Sequence, residues 1–157
     1  FSYGLNIALN YKGFDLSMFW QGVYDKDVYN NQKFQTDFWS ITDAGSNKGN
    51  RLLGAWNTNN TGSTIPALTT NNTADEGRSS TYFVENGSYL KLRNLQLGYN
   101  LPASFLSKFK MSSARVYLSG QNLLTIKSKS LTCSDPENPD WNYPLATSIS
   151  FGLQLGF

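Results

Sequence analysis

Thr147-Ser148-Ile149-Ser150-Phe151-Gly152-Leu153-Gln154-Leu155-Gly156-Phe157 places Thr147, Ile149, Phe151, Leu153, Leu155 and Phe157 on odd positions, with serine, glycine and glutamine between them. Successive side chains of extended backbone point to opposite faces, so this pattern predicts a strand with one apolar face and one polar or small face. Some eleven residues at about 3.3 Å each span roughly 36 Å, or about 28 Å along a membrane normal at a tilt near 40°.

The same alternation recurs upstream. Tyr3, Leu5, Ile7, Leu9 and Tyr11 take odd positions; after Lys12-Gly13 the apolar set moves to Phe14, Leu16, Met18 and Trp20. A two-residue turn ending in glycine joins such strands as a hairpin and keeps both apolar faces together, with Phe19 as the misfit. Leu95, Leu97, Tyr99 and Leu101 form a third pattern that Pro102 ends, and Leu90 and Leu92 on the opposite parity predict a bulge near Arg93-Asn94. Phe105, Leu106 and Phe109 suit one helical turn, and Ala114, Val116 and Leu118 open another strand. Five strands are expected, at about 1–11, 14–24, 88–101, 112–124 and 146–157.

The connections alternate between short and long. Loops at about 25–85 and 125–145 are rich in Asn, Thr, Gly, Ser and Asp, whereas typical connections run about 4–6 residues. The longer one is expected to be a functional loop or disordered. Tight turns on one side and long loops on the other are the pattern of a transmembrane β-barrel, with short periplasmic turns and long extracellular loops. Tyr3, Tyr11, Phe14, Trp20, Tyr99 and Phe157 fall at strand ends, where amphipathic rings meet the headgroup zone. A secreted soluble β-sandwich, binding carbohydrate through loop tryptophans, is the alternative from another class, but it needs more than five strands. Five strands cannot close a membrane barrel either, so the expectation is an antiparallel segment of a larger one.

Composition removes other classes. No run of apolar residues exceeds three, against the roughly 20 a spanning helix needs. The chain has no histidine and one cysteine, Cys133, so no metal centre, cofactor or nucleophilic triad is expected, and an enzyme reading fails on inventory. The 13 basic and 11 acidic residues are dispersed, which argues against nucleic acid as a partner. Asp135-Pro136-Glu137-Asn138-Pro139-Asp140 lacks calcium-loop spacing and reads as a proline-set turn.

Three blocks together resemble a known family. Tyr11-Lys12-Gly13-Phe14-Asp15-Leu16-Ser17, the stretch from Val84 to Pro102 containing Ser88-Tyr89-Leu90-Lys91-Leu92-Arg93-Asn94, and Arg115-Val116-Tyr117-Leu118-Ser119-Gly120-Gln121-Asn122-Leu123 are similar to the carboxyl-terminal barrel portion of SusC/RagA-type TonB-dependent (TonB-linked) outer-membrane transporters. Asn86-Gly87 departs from the acidic residue usual before Ser88-Tyr89.

The resemblance implies a barrel of roughly 22 strands around a plug, in a Gram-negative outer membrane and in contact with its lipid. It implies a SusD-like surface lipoprotein as lid and energy from the TonB complex, reached through plug and N-terminal regions expected outside these residues. A glycan, or else an oligopeptide, would be the cargo. Asn94, Gln96, Asn100 and Arg115, with Asn6, Asn10, Asp15, Ser17 and Gln154, would face the lumen or plug, where a structural hydrogen bond is favoured over a ligand contact. Trp39, Trp56 and Trp141 are the loop candidates for stacking on a ligand or partner, against simple packing of the loop on itself. Phe157 is expected to act as a barrel-assembly signal.

Overall fold

The computed structural model describes residues 1–38, 48–68, 78–140 and 142–157 of the 157-residue chain. Its elements form two units, one of Phe1–Lys26, Gly87–Ser128 and Pro144–Phe157, the other of Asp27–Asn86 and Lys129–Tyr143.

The first unit is a five-stranded antiparallel sheet: β1 (Ser2–Tyr11), β2 (Phe14–Val23), β5 (Tyr89–Asn100), β6 (Ser113–Lys127) and β7 (Ser148–Gly156), hydrogen-bonded in that order. Lys12 and Gly13 join β1 to β2 with φ of 46° and 88°, the doubly left-handed turn whose twist matches a two-residue hairpin. Between β5 and β6 the chain makes a single helical turn, α2 (Ala103–Leu106), which continues as a 3-10 turn over Ser107–Phe109.

Register turns the sequence alternation into rows across the sheet. Leu9, Leu16, Leu97, Leu118 and Phe151 lie abreast on one face. The adjacent row, Ala8, Ser17, Gln96, Ser119 and Ser150, lies on the other. The apolar face is open: Ile149 and Phe151 keep 69% and 75% of their surface exposed. Such a face is favoured only where lipid tails or another apolar surface shield it from water.

Bulges hold this division through the change of parity. Between the apolar row of Met18, Leu95 and Gly120 and that of Trp20, Leu92 and Leu124, β2 has one intervening residue, β5 two and β6 three. Arg93 takes up the shift in β5, and Asn122, at φ 52°, takes it up in β6. Leu90 and Leu92 therefore stay on the same face as Leu95 and Leu97. Because the β6 ladder resumes at Leu124, the strand runs to Lys127, beyond the expected end near 124. The last strand starts at Ser148, not 146, because the Thr147 hydroxyl donates to the Asn122 carbonyl and the Asn122 amide donates to the Ala146 carbonyl.

The second unit replaces the structureless connection expected over about 25–85. β3 (Asp27–Tyr29) pairs with β4 (Val84–Asn86) as a two-stranded ribbon. Helix α1 (Asn31–Asp37) is capped by Asn30, whose side-chain oxygen accepts from the Lys33 amide. Phe34 and Phe38, four apart and hence on one face, approach fully buried Phe83 at 5.3 and 6.1 Å between ring centres. Tyr29 and Tyr82 add rings at 5.7 and 5.1 Å from it. Val28, Leu131 and Cys133 make a further buried cluster. These anchors lie too far apart in sequence to give a period, which is why the stretch reads as loop.

Candidate functional site

On the polar face of the sheet, Asp15 of β2 and Arg115 of β6 form an ion pair that crosses the intervening β5. Arg115 Nε donates to Asp15 Oδ2 at 3.0 Å, and Asn100 Nδ2 donates to the same oxygen at 3.4 Å. Gln96, with its amide oxygen turned toward Arg115, accepts from Nη2 at 2.8 Å. Gly98 makes this crossing feasible: a Cβ there would sit 2.5 Å from Asp15 Oδ2 and 2.6 Å from Arg115 Nη2. The structure thus brings together Asp15, Gln96, Asn100 and Arg115 of the expected polar-face residues. Asn94 is separate, lining a shallow groove of about 250 Å³ with Asn6, Ala8, Ser17 and Phe19.

The second unit contains a denser polar cluster. Asp37, fully buried, accepts from Arg51 Nε at 2.9 Å, from the Tyr82 hydroxyl at 2.8 Å and from the Thr36 hydroxyl at 3.2 Å. Glu85 accepts from Asn30 Nδ2 and the Thr132 amide, both at 2.8 Å, and from the Thr132 hydroxyl at 2.9 Å. Lys33 Nζ stands 3.5 Å from Glu85, 3.8 Å from the centre of the Tyr82 ring, and donates to the Tyr82 carbonyl. Burial works to raise the Glu85 carboxyl, but the Thr132 and Asn30 hydrogen bonds and the Lys33 charge outweigh it and hold the group below the usual range. Burial, then the hydrogen bond to Asp37, pushes the Tyr82 phenol well above its ordinary value. Both carboxylates are saturated by internal donors, so the cluster organises loops instead of supplying a reactive acid or base.

Trp56, 43% exposed, follows the 3-10 turn Asn50–Gly54, and its amide donates to the Ile65 carbonyl. Trp39 and Trp141 lie outside the described residues. Phe157 follows the end of β7 and is 90% exposed. The Asp135–Asp140 segment is a tight turn, with the Glu137 amide donating to Asp135 Oδ1 and Asn31 donating to Asp140 Oδ1. No group of three metal-ligating side chains occurs among the described residues. Asp37, Arg51, Tyr82, Glu85 and Thr132 are not expected from the sequence; the charges of Asp37, Arg51 and Glu85 are three among many scattered through the long loop, and Tyr82 and Thr132 carry no distinguishing signal.

No family model matches the chain. It is 36% identical over 128 residues to TonB-dependent receptor P3 of Formosa agariphila, covering 80% of this chain and 12% of that protein. It is 29% identical over 178 residues to TonB-dependent receptor P26 of the same organism, covering 99% of this chain and 17% of that one. Among solved structures, the RagAB peptide transporter superposes at a TM-score of 0.73 with 31% identity over 98% of this chain and 17% of its own. The RagAB peptide importer in its closed-closed state gives 0.74 and 30%, over 99% of this chain and 17% of its own. The chain belongs to the TonB-dependent receptors and is a β-barrel segment of the SusC/RagA type. It spans 12% and 17% of the length of the curated relatives it matches.

Proposed function

We propose that this chain forms part of the wall and extracellular loops of an outer-membrane, TonB-dependent importer of a large nutrient, working beneath a SusD-like lipoprotein lid. The observation that carries the reading is the row structure of the sheet. One face carries the apolar row of Leu9, Leu16, Leu97, Leu118 and Phe151, and the other carries Ser17, Gln96, Ser119, Ser150 and the Asp15–Arg115 pair, with Ala8 and Phe19 as apolar exceptions, as a wall between lipid and an aqueous lumen demands. The folded unit built from the two long connections supplies the extracellular side. TonB would act through the regions outside these residues.

The cargo is a solute too large for passive pores, a glycan or an oligopeptide. The likeness to RagAB peptide transporters favours the peptide class; Trp56 in a polar loop suits either. Expression of the full-length protein tests the reading. A heat-modifiable outer-membrane species that takes up fluorescent oligopeptides or oligosaccharides only with TonB present is the expected result. A soluble periplasmic product, or uptake indifferent to TonB, contradicts it.

A further inference from the structure

Thr132 occupies a place in the second unit that its surroundings use completely. Its hydroxyl donates to Glu85 at 2.9 Å and accepts from Asn30 Nδ2 and Arg51 Nη1, each also at 2.9 Å. A hydroxyl offers one donor and two acceptor lone pairs, so this one is saturated. The partners come from different pieces of chain: Asn30 precedes α1, Arg51 lies in the 3-10 turn Asn50–Gly54, and Glu85 is in β4. All three belong to the connection between β2 and β5, while Thr132 belongs to the connection between β6 and β7. Residues at the start of α1 add further ties between the same two connections: Gln32 Nε2 donates to the Asp140 carbonyl at 2.6 Å, Asn31 Nδ2 to Asp140 Oδ1 at 2.8 Å, and the Ser134 amide to Gln32 Oε1 at 3.1 Å, none of which reaches the Arg51 turn directly.

We propose that Thr132 is a positioning residue that couples the two long connections into one capture element, so that they move together and present one preformed surface. Glu85 and Arg51 do not touch each other directly in this arrangement; the Thr132 hydroxyl relays the position of one to the other, and Arg51 in turn fixes Asp37. Removing the hydroxyl leaves the Thr132 amide bond to Glu85 and the Asn30 bond to Glu85 in place. The unit therefore keeps its fold while the Arg51 turn loses its link to residues 129–135. A preformed surface captures a ligand without the ordering cost that a loose loop adds to each encounter.

The inference rests on the importer reading for its purpose but not for its test. In the purified full-length transporter, spin labels placed by Thr58→Cys and Lys129→Cys report the separation of the two connections by pulsed electron resonance. Both positions are exposed, whereas native Cys133 is fully buried and escapes labelling. The wild-type background is expected to give one narrow distance distribution. Thr132→Val should broaden it at least twofold, and Thr132→Ser, which keeps the hydroxyl, should restore it. An unchanged distribution in Thr132→Val overturns the proposal. Equal broadening in Thr132→Ser also overturns it, because the methyl group and not the hydroxyl would then be the determinant. Failure of the wild-type protein to reach the outer membrane would count against the importer reading instead.

Discussion

Asp15 and Arg115, one hundred residues apart, join across an entire strand, and the bare backbone of Gly98 is the floor on which their side chains lie. A side chain at position 98 must displace the pair. Gly98→Val is therefore expected to lower the temperature at which the full-length protein loses its compact form in semi-native electrophoresis. Asp15→Asn should do the same by leaving the Arg115 guanidinium without its carboxylate. The double variant Asp15→Asn with Arg115→Gln should melt closer to wild type than either single variant, since no unpaired charge remains.

Asp37 is the buried member of an ion pair whose other partner, Arg51, is partly exposed. Asp37→Ala strands the Arg51 Nε and Tyr82 hydroxyl donors, at a cost of about 2–3 kcal/mol of local stability. Backbone amides of α1 should then exchange one to two orders of magnitude faster in deuterium, while those of β5 and β6 keep wild-type rates.

Acid should loosen the second unit through Glu85. Its carboxyl lies below the ordinary value of 4.5 in the folded chain, so its stabilising contribution is present above that value and disappears as pH falls through the folded value. Protease sensitivity of the loop unit is expected to rise as pH falls below 4.5, and Glu85→Gln should flatten that dependence. Tyr82 acts with the opposite sign. Its raised phenol contributes fully below the ordinary value of 10.0, and the contribution is lost as pH climbs above it.

The two faces of β6 should answer oppositely to charge. Leu118 stands in an all-apolar row and Ser119 in a polar one. Leu118→Arg is expected to cost about 2–4 kcal/mol if it meets the bilayer midplane, and to reduce the yield of heat-modifiable protein; Ser119→Arg should leave that yield near wild type.

Much of the sheet is legible in the residues. The hairpin follows from Lys12-Gly13 and the bulge from the parity change at Leu92 and Leu95, while Phe19, the misfit of the alternation, keeps regular register between Asn6 and Asn94 on the polar face. These signals are local, because a strand's period repeats every two residues. The loop unit is not legible for the converse reason. Its ties connect Asn30 to Thr132 over 102 residues and Glu85 to Thr132 over 47, and neither partner carries a pattern of its own. Gln96, Asn100 and Arg115 could be assigned to one face from parity, but only register shows that Arg115 reaches past Gly98 to Asp15.

The assignment of the two faces can be read at single-residue steps along β6. Spin labels placed one at a time at Val116, Tyr117, Leu118 and Ser119 of the full-length protein in outer-membrane vesicles can be tested for collision with oxygen, which partitions into lipid, and with a water-soluble nickel chelate. A barrel wall predicts high oxygen and low chelate accessibility at positions 116 and 118, and the reverse order at 117 and 119. Chelate accessibility that is high at all four positions, with no alternation, would contradict it.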